Sequence, residues 1–416
     1  MEQKPNYRGA LALFFLLIAL TALAGGLSDS IYSNYFKEVY QVDSVQRGFI
    51  EFPRELPGVL CIVVIALLSG LGDLRAAVIA QGLAFAGLTV LGLWTPAFGV
   101  MLVFLFVNSM GMHLFMPLQD SIGMSLAEPG QVGRRMGQYA STKSAVAFAA
   151  ALLVFFGFRT GFFSFQGNVK PVFLLGAGAY ALAFLAAILL VRKVRPPRAE
   201  RKKVKLVFRK QYKYYYLLTI LNGVQKQIAY VYGSWVVIDL LGRKADTTAL
   251  LYIASNFVCI FFMRALGKWM DRFGIKKMML LDALSFIVVY VIYGFLVWGI
   301  DGGALQAAGW AWGIYALFVL DRMSMQIGIV KAYYLRSIAL DPAEVTATLS
   351  TGLSLDHAVA VVAAMLGGFV WAAWGSQWVF FMAATFSLGN LYIAWKVDPE
   401  KEQAAALEYR RAHGTD

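Results

Sequence analysis

The sequence predicts an all-α membrane protein of about twelve spans, arranged as two similar six-helix bundles with both termini cytoplasmic. Three observations carry that expectation. Of 416 residues, 59% are hydrophobic and 15% charged, whereas a soluble domain is about half apolar and about one quarter charged. The apolar residues gather into runs of roughly 20, the length that crosses a bilayer. Small and polar residues of the first half also recur at a fixed distance in the second.

The chain begins Met1-Glu2-Gln3-Lys4-Pro5-Asn6-Tyr7-Arg8 and enters an apolar stretch from Gly9 to Ala24 that continues to Tyr35. Without the short core and A-x-A-like cleavage site of a secretory signal, this reads as a retained first span. Apolar runs between polar breaks then place helices near 9–36, 44–70, 75–94, 98–126, 131–157, 171–192, 210–241, 247–268, 275–299, 306–337, 342–373 and 377–396. They form bundles at 1–192 and 214–397, joined by a basic cytoplasmic linker, 193–213, and followed by a polar cytoplasmic tail, 398–416.

Charge placement sets the sidedness. The net charge is +13, and eleven of the 37 Lys and Arg lie between Arg192 and Lys213. A basic run that interrupts the apolar pattern reads as a cytoplasmic loop on anionic headgroups, not as a nucleic-acid site. With the N-terminus inside, the inner loops also hold Arg75, Arg134, Arg135, Lys268, Arg272, Lys276, Lys277, Arg336 and Lys396. The outer loops hold Lys37, Arg47, Arg159, Lys170, Arg243 and Lys244. This bias favours an even number of spans and a multi-pass protein of the plasma (inner) membrane. Cys61 and Cys259 each sit in an apolar run, so neither a disulfide framework nor a metal site follows, and no cofactor is expected.

The repeat is visible in individual residues. Asp73 follows the second span and Asp271 the eighth, 198 residues later, and the same offset sets Gly25 on Gly223 and Tyr32 on Tyr230. Farther on the offset is 213, placing Glu128-Pro129 on Asp341-Pro342, Ser141 on Ser354 and Lys143 on Asp356.

Between the eighth and ninth helices stands Gly267-Lys268-Trp269-Met270-Asp271-Arg272-Phe273-Gly274-Ile275-Lys276-Lys277. It resembles the G-x-x-x-D-R-x-G-x-K-K loop of the major facilitator superfamily, and Ser69-Gly70-Leu71-Gly72-Asp73-Leu74-Arg75 is a degraded copy after the second helix. Glycine permits a tight turn there, and a carboxylate can face a helix N-terminus and nearby basic groups. The resemblance implies a secondary transporter working by alternating access, with a cytoplasmic gate at Asp73, Arg75, Gly267, Asp271, Arg272 and Lys276. Helices 1, 4, 7 and 10 are then expected to line a central cavity, helped by 2, 5, 8 and 11. Helix 5 reads Ser141-Thr142-Lys143-Ser144 where the multidrug and tetracycline antiporters carry a G-P-x-x-G-G type element, which makes a drug or amphiphile exporter the alternative.

A charge in hydrocarbon costs about 2.5–3.5 kcal/mol, so each needs a cavity, a partner or a function. Lys143 and Asp356 share a repeat position and are expected on opposite cavity walls, clamping a zwitterion or pairing with each other, with neutralisation of each within its own half as the competing reading. Asp321 and Arg322 point about 100° apart, so at most one faces the cavity centre. Arginine's fork suits a carboxylate or phosphate, which makes Arg322, Lys226 and Lys143 an anion site, with a structural Arg–Asp pair as the competing reading. Tyr32 and Tyr230 complete the expected substrate-binding set. Asp29, Asp120, His113, Asp321 and His357 are the candidates for proton coupling, because burial and a nearby imidazole both tune a carboxyl toward neutral pH.

Glu51 and Glu55 lie one turn apart with Arg54 beside them. Such a pair on helix 2 resembles the sodium site of the melibiose-permease branch, yet here it falls about 27 Å from the cytoplasmic end of the helix. It is expected to be an extracellular salt-bridge gate. No Walker loop, zinc spacing or nucleophile elbow occurs, so the chain reads as no enzyme. Its expected partners are a small polar substrate, an organic anion or zwitterion ahead of a sugar, and lipid. The expected assembly is a monomer without nucleic acid.

Overall fold

A computed structural model describes residues 7–128, 132–194, 208–341 and 344–413. Among these residues every regular element is helical. In chain order they are α1 (Tyr7–Asp29), α2 (Tyr32–Tyr40), α3 (Ser44–Leu68), α4 (Asp73–Leu93), α5 (Phe98–Ser125), α6 (Val132–Arg159) and α7 (Pro171–Val194). There follow α8 (Lys213–Ile228), α9 (Ala245–Asp301), α10 (Ala307–Ile327), α11 (Val330–Ile338), α12 (Glu344–Trp374), α13 (Ser376–Lys396) and α14 (Pro399–His413). Most of the basic linker, 195–207, lies outside the described residues, as do Pro129 and Pro342 of the second repeat match.

Among the described residues, ten helical stretches are long and apolar enough to cross a membrane. Two of them lie within α9, which keeps helical geometry except at Gly274 (φ 75, ψ 170), a conformation costly for any residue with a Cβ. The remaining two of the twelve predicted spans fall short of that measure for identifiable reasons. One is α3, which carries Arg47, Glu51, Arg54, Glu55 and two internal prolines. The other is the predicted helix 210–241, where α8 passes into π turns at Ala229–Gly233 and Val236–Leu240.

Two further predicted helices are interrupted. The first breaks after Asp29, where the Ser28 hydroxyl donates to Ala24 O at 3.0 Å and that of Ser30 to Gly26 O at 3.1 Å. Such local hydroxyl bonds compete with the helical ladder. The tenth breaks at Gly328 and Ile329, between α10 and α11. The eighth and ninth are separated only by the Gly274 turn. The polar tail is helical: Asp398 accepts from Lys401 N at 3.3 Å at its start, and Tyr334 OH donates to Glu402 at 2.6 Å.

Packing divides the chain into two units. Unit 1 comprises Met1–Gln41, Pro53–Val204 and Lys244–Leu250. In it α1 packs on α6 and α7, and α4 on α5 and α7, around Phe14, Leu17, Ala77, Ala80, Leu114 and Leu190. A Cβ at Gly111 would run into the backbone of Ala80 and Ala84, so glycine is what lets α5 lie against α4. Unit 2 comprises Val42–Phe52, Lys205–Arg243 and Leu251–Asp416. There α8 packs on α12 and α13, and a second core gathers Tyr212, Met278, Met279, Ile327, Val330 and Tyr334. The small segments 42–52 and 244–250 overlap at the repeat offset of 198, since 46–52 falls on 244–250.

Candidate functional site

The end of α8 places three successive polar residues on three faces, because each residue turns a helix by about 100°. Gln225 faces α13: its Nε2 donates to Ser387 Oγ at 2.5 Å, and Asn390 Nδ2 donates to its Oε1 at 2.9 Å. Lys226 faces α12 and donates from Nζ to Asp356 Oδ2. Gln227 faces the α3 segment of unit 2, donating to Glu51 Oε2 at 3.0 Å, while Arg47 bonds the other oxygen of Glu51 at 2.6 Å. Gly223, one turn before Lys226, leaves room for Asp356: a Cβ there would stand 3.0 Å from its carbonyl oxygen and 3.1 Å from Oδ1.

One turn beyond Lys226, the chain enters the π turns and presents Tyr230. Arg322 of α10 lies over that ring, with its Cζ 4.4 Å from the centroid, and also faces Phe318 at 4.9 Å and Tyr252 at 5.2 Å. Nη2 donates to Tyr252 OH at 3.3 Å, and Nη1 points at Met325 Sδ at 3.8 Å. Among the described residues Nε has no hydrogen-bond partner and no carboxylate forms an ion pair with Arg322, although the residue is only 7% exposed. Asp321 points elsewhere, as a 100° step requires. It is 2% exposed, its Oδ1 has no hydrogen-bond partner among the described residues, and Gly233 lies beside its Oδ2.

In unit 1 the predicted residues fall into two places. Lys143 and Asp120 line a cavity of about 190 Å³ together with Ile18, Gln119, Met136, Tyr139 and Ala140. Tyr32 is buried, donates to Asn108 Oδ1 at 3.0 Å, and carries Arg54 Cζ at 5.9 Å from its centroid. Nearby, His113 Nδ1 lies 3.1 Å from Ser109 Oγ and 2.9 Å from Ser109 O, and Ser109 Oγ donates to Arg54 O at 2.5 Å. Asp29 is exposed and Glu55 is buried, and in unit 2 His357 of α12 is buried as well.

The expected pairings change accordingly. Asp356 takes Lys226 within its own unit, and Lys143 lines the cavity that also holds Asp120. Glu51 pairs with Arg47, which the loop-charge count had placed in an outer connection; α3 begins at Ser44 and carries Arg47 in its first turn. At the loop motif and its degraded copy, Asp73 is the first residue of α4 and accepts from Ser121 Oγ, while Arg75 Nη1 donates to Leu71 O at 3.2 Å. Gly267, Asp271, Arg272 and Lys276 are exposed, and Arg272 Cζ stands 5.4 Å from the Phe273 centroid. Asp271 forms no hydrogen bond or ion pair among the described residues.

Several functional-looking residues lie outside the predicted set. Gln225 and Gln227 are amides flanking an intramembrane lysine, a pattern that itself signals internal polar packing. Asp282, inside Leu280-Leu281-Asp282-Ala283-Leu284, and Lys331 satisfy the same intramembrane-charge criterion as the others.

The bacterial-type resemblance extends to solved structures at low identity. A nucleoside transporter, NupG, superposes with a TM-score of 0.73 at 12% identity, covering 93% of this chain and 98% of that one. A D-xylose-proton symporter gives 0.69 at 16% identity, covering 95% and 99%. A POT family transporter in complex with 5-aminolevulinic acid gives 0.74 at 12% identity, covering 94% and 96%. No curated protein sequence matches the chain. The sequence profile of the Major Facilitator Superfamily matches residues 14–355. The chain is therefore a multi-pass integral membrane protein that belongs to the Major Facilitator Superfamily.

Proposed function

We propose that this protein is a secondary active transporter that moves a small organic anion or zwitterion across the plasma membrane by alternating access. The observation that carries the reading is Arg322. A buried guanidinium without a carboxylate is expensive in hydrocarbon, and three aromatic faces offset only part of that cost, about 0.5–2 kcal/mol per close contact. Its planar donors suit a carboxylate or phosphate in bidentate fashion. The Lys226–Asp356 pair, whose lysine lies one turn before Tyr230 on the seventh span and whose aspartate lies on the eleventh, offers both signs of charge to a zwitterion. Small polar cargo is also what the names of the nucleoside, D-xylose and peptide-family neighbours describe for those proteins. Both termini are cytoplasmic in this reading, the 193–213 segment lies on anionic headgroups, and the monomer is the working unit.

The test is a thermal-shift screen of the purified protein against succinate, acetate, 5-aminolevulinic acid, D-xylose and a cationic amphiphile, followed by counterflow in liposomes. Carboxylates should stabilise the wild type, and Arg322→Gln should weaken that binding at least about tenfold, in line with the loss of a charge-assisted bidentate contact. Selective binding of the amphiphile, or carboxylate binding indifferent to Arg322→Gln, would favour the exporter reading instead.

A further inference from the structure

Exposed aromatic residues stand at both ends of the unit 2 helices, but the charges beside them differ. Trp298, Trp310, Trp312, Trp374 and Trp378 share one end, where Ser376 Oγ donates to Asp301 at 3.0 Å. No lysine or arginine occurs in 298–312 or 374–378. At the other end Phe208, Tyr392 and Trp395 are exposed, and with them Lys210, Lys213, Lys276, Lys277 and Lys396. Rings at the ends of spans settle at the headgroup level whatever the lipid. Lysines gathered at one end alone select for negative charge there.

Helix packing brings these lysines to one level. A Cβ at Gly389 of α13 would meet Leu221 Cδ1 of α8 at 3.0 Å. Eight residues farther along each helix, about 12 Å, lie Lys213 and Val397, the neighbour of Lys396. Tyr212 and Tyr215 accordingly share a core with Ile393, Ala394 and Val397, and that core also holds Met278 and Met279, which follow Lys276 and Lys277 after the Gly274 turn. Lys213 Nζ stands 4.8 Å from the Tyr214 centroid. Lys396 Nζ stands 5.5 Å from that of Tyr392 and donates to its OH at 3.3 Å. Each stem thus runs along a ring and carries its ammonium to the rim. Among the described residues none of the five lysines forms an ion pair. Of the carboxylates beside them in sequence, Asp398 pairs with Lys401 at 3.2 Å, Glu402 is held by Tyr334, and Asp271 and Glu400 are exposed.

We infer that this end of unit 2 is a binding site for an anionic phospholipid, with Lys213 and Lys396 holding the phosphodiester and Tyr392 and Trp395 receiving the glycerol and first acyl carbons. Lys276 and Lys277 add to the positive field. An ammonium binds phosphate as a point charge, without a fixed bond angle, which suits a headgroup that moves within its leaflet. Choline and ethanolamine headgroups carry a cation of their own and gain little from such a field. A soluble phosphate has no chains to lay on the aromatic rim. The site is separate from Arg322 and from the Lys226–Asp356 pair and makes no demand on the cargo. It sharpens the headgroup contact read above for the 193–213 segment, and rests on that reading for Lys213 alone.

The experiment titrates the full-length protein, purified in neutral detergent, with phosphatidylglycerol, phosphatidylethanolamine and phosphatidylcholine of matched chains, and reads bound lipid by native mass spectrometry. Phosphatidylglycerol should bind at least about tenfold more tightly than the other two, as two ammonium–phosphate contacts at a membrane surface allow. Lys213→Gln with Lys396→Gln should bring it down to the level of phosphatidylcholine, and Lys213→Arg with Lys396→Arg should keep the preference. Both lysines are exposed, so lipid-free melting should match the wild type; if the glutamine pair melts early, Lys396→Gln alone carries the comparison. A variant with Arg198, Arg201, Lys202 and Lys203 changed to Gln, in the linker, should also keep the preference. Glycerol 3-phosphate should leave the melting temperature unmoved. Equal affinity for the three lipids, a preference that survives the glutamine variants or vanishes only with the linker charges, or stabilisation by glycerol 3-phosphate equal to that by phosphatidylglycerol would each overturn the inference. Cargo binding and flux play no part in the readout, so the transport reading and this one fail separately.

Discussion

Glu51 accepts a hydrogen bond of 2.6 Å from Arg47, one turn before it on α3, and both side chains are 1% exposed. The second oxygen of Glu51 is taken by Gln227 of the seventh span. Removing one member of a buried, hydrogen-bonded pair leaves the other charge without its counterpart, at a cost of about 3–5 kcal/mol, while an apolar replacement of both is often close to neutral. Glu51→Gln should accordingly lower the melting temperature of the purified protein markedly, and Arg47→Met with Glu51→Leu should recover much of the loss. Equal melting of the single and double variants would contradict this account of α3.

The bond between Lys226 and Asp356 is partly open to solvent, with side-chain exposures of 25% and 11%. Screening makes such a pair a weaker contributor to stability than Arg47–Glu51. Lys226→Ala and Asp356→Asn should therefore cost little in melting temperature yet reduce carboxylate or zwitterion counterflow at least about tenfold, the signature of a charge used in binding. Large destabilisation with intact flux would reverse the assignment.

Gly111 tests the packing of unit 1. A side chain there meets the backbone of Ala80 and Ala84, which cannot rotate away. Gly111→Val should destabilise by about 1–3 kcal/mol or more, as overpacking of a tight interface does. Gly137→Val, where a Cβ meets open space, should have little effect on expression or melting.

The start of α14 gives a pH dependence outside the membrane. The backbone N–H and then the ammonium of Lys401 hold the Asp398 carboxyl below its usual value. A carboxyl depressed in the folded state stabilises above its unfolded value and loses that contribution as pH falls through the folded one. Protection of the 399–413 amides, measured relative to their intrinsic exchange rates, should thus be full at neutral pH and fall several-fold only at strongly acid pH, below about 3.8, the ordinary aspartate value. Asp398→Ala should show the reduced protection at every pH.

Much of this architecture is legible in the residues. Apolar runs locate the spans because lipid forces every backbone group into an internal hydrogen bond, and the run length is set by the bilayer. The divergence of Asp321 and Arg322 follows from helix geometry alone. Partner choice is less legible, since the repeat sets Lys143 opposite Asp356 while the azimuth of α8 brings Lys226 to that carboxylate, aided by Gly223. The turns of the loop motif and its degraded copy make the same point. Gly72 (φ 79, ψ 157) precedes α4 as Gly274 (φ 75, ψ 170) precedes the ninth span, so Asp73 opens a helix and Asp271 ends one. Letter matching at an offset of 198 aligns the two carboxylates but not the two glycine turns that fix where each one points.

The short segments 42–52 and 244–250 bear on how the chain is made. Unit 1 draws Thr248, bonded to Asn34 at 2.9 Å, and Asp246, 3.4 Å from Arg159, out of a stretch synthesised after the basic linker. Unit 2 draws Ser44 and Arg47 from the beginning. A ribosome that has delivered the first 194 residues has therefore produced neither unit whole. Maturation of the amino-terminal half must wait for the eighth span to enter the membrane, and severing the polypeptide at the linker would leave two fragments that assemble only by trading these pieces.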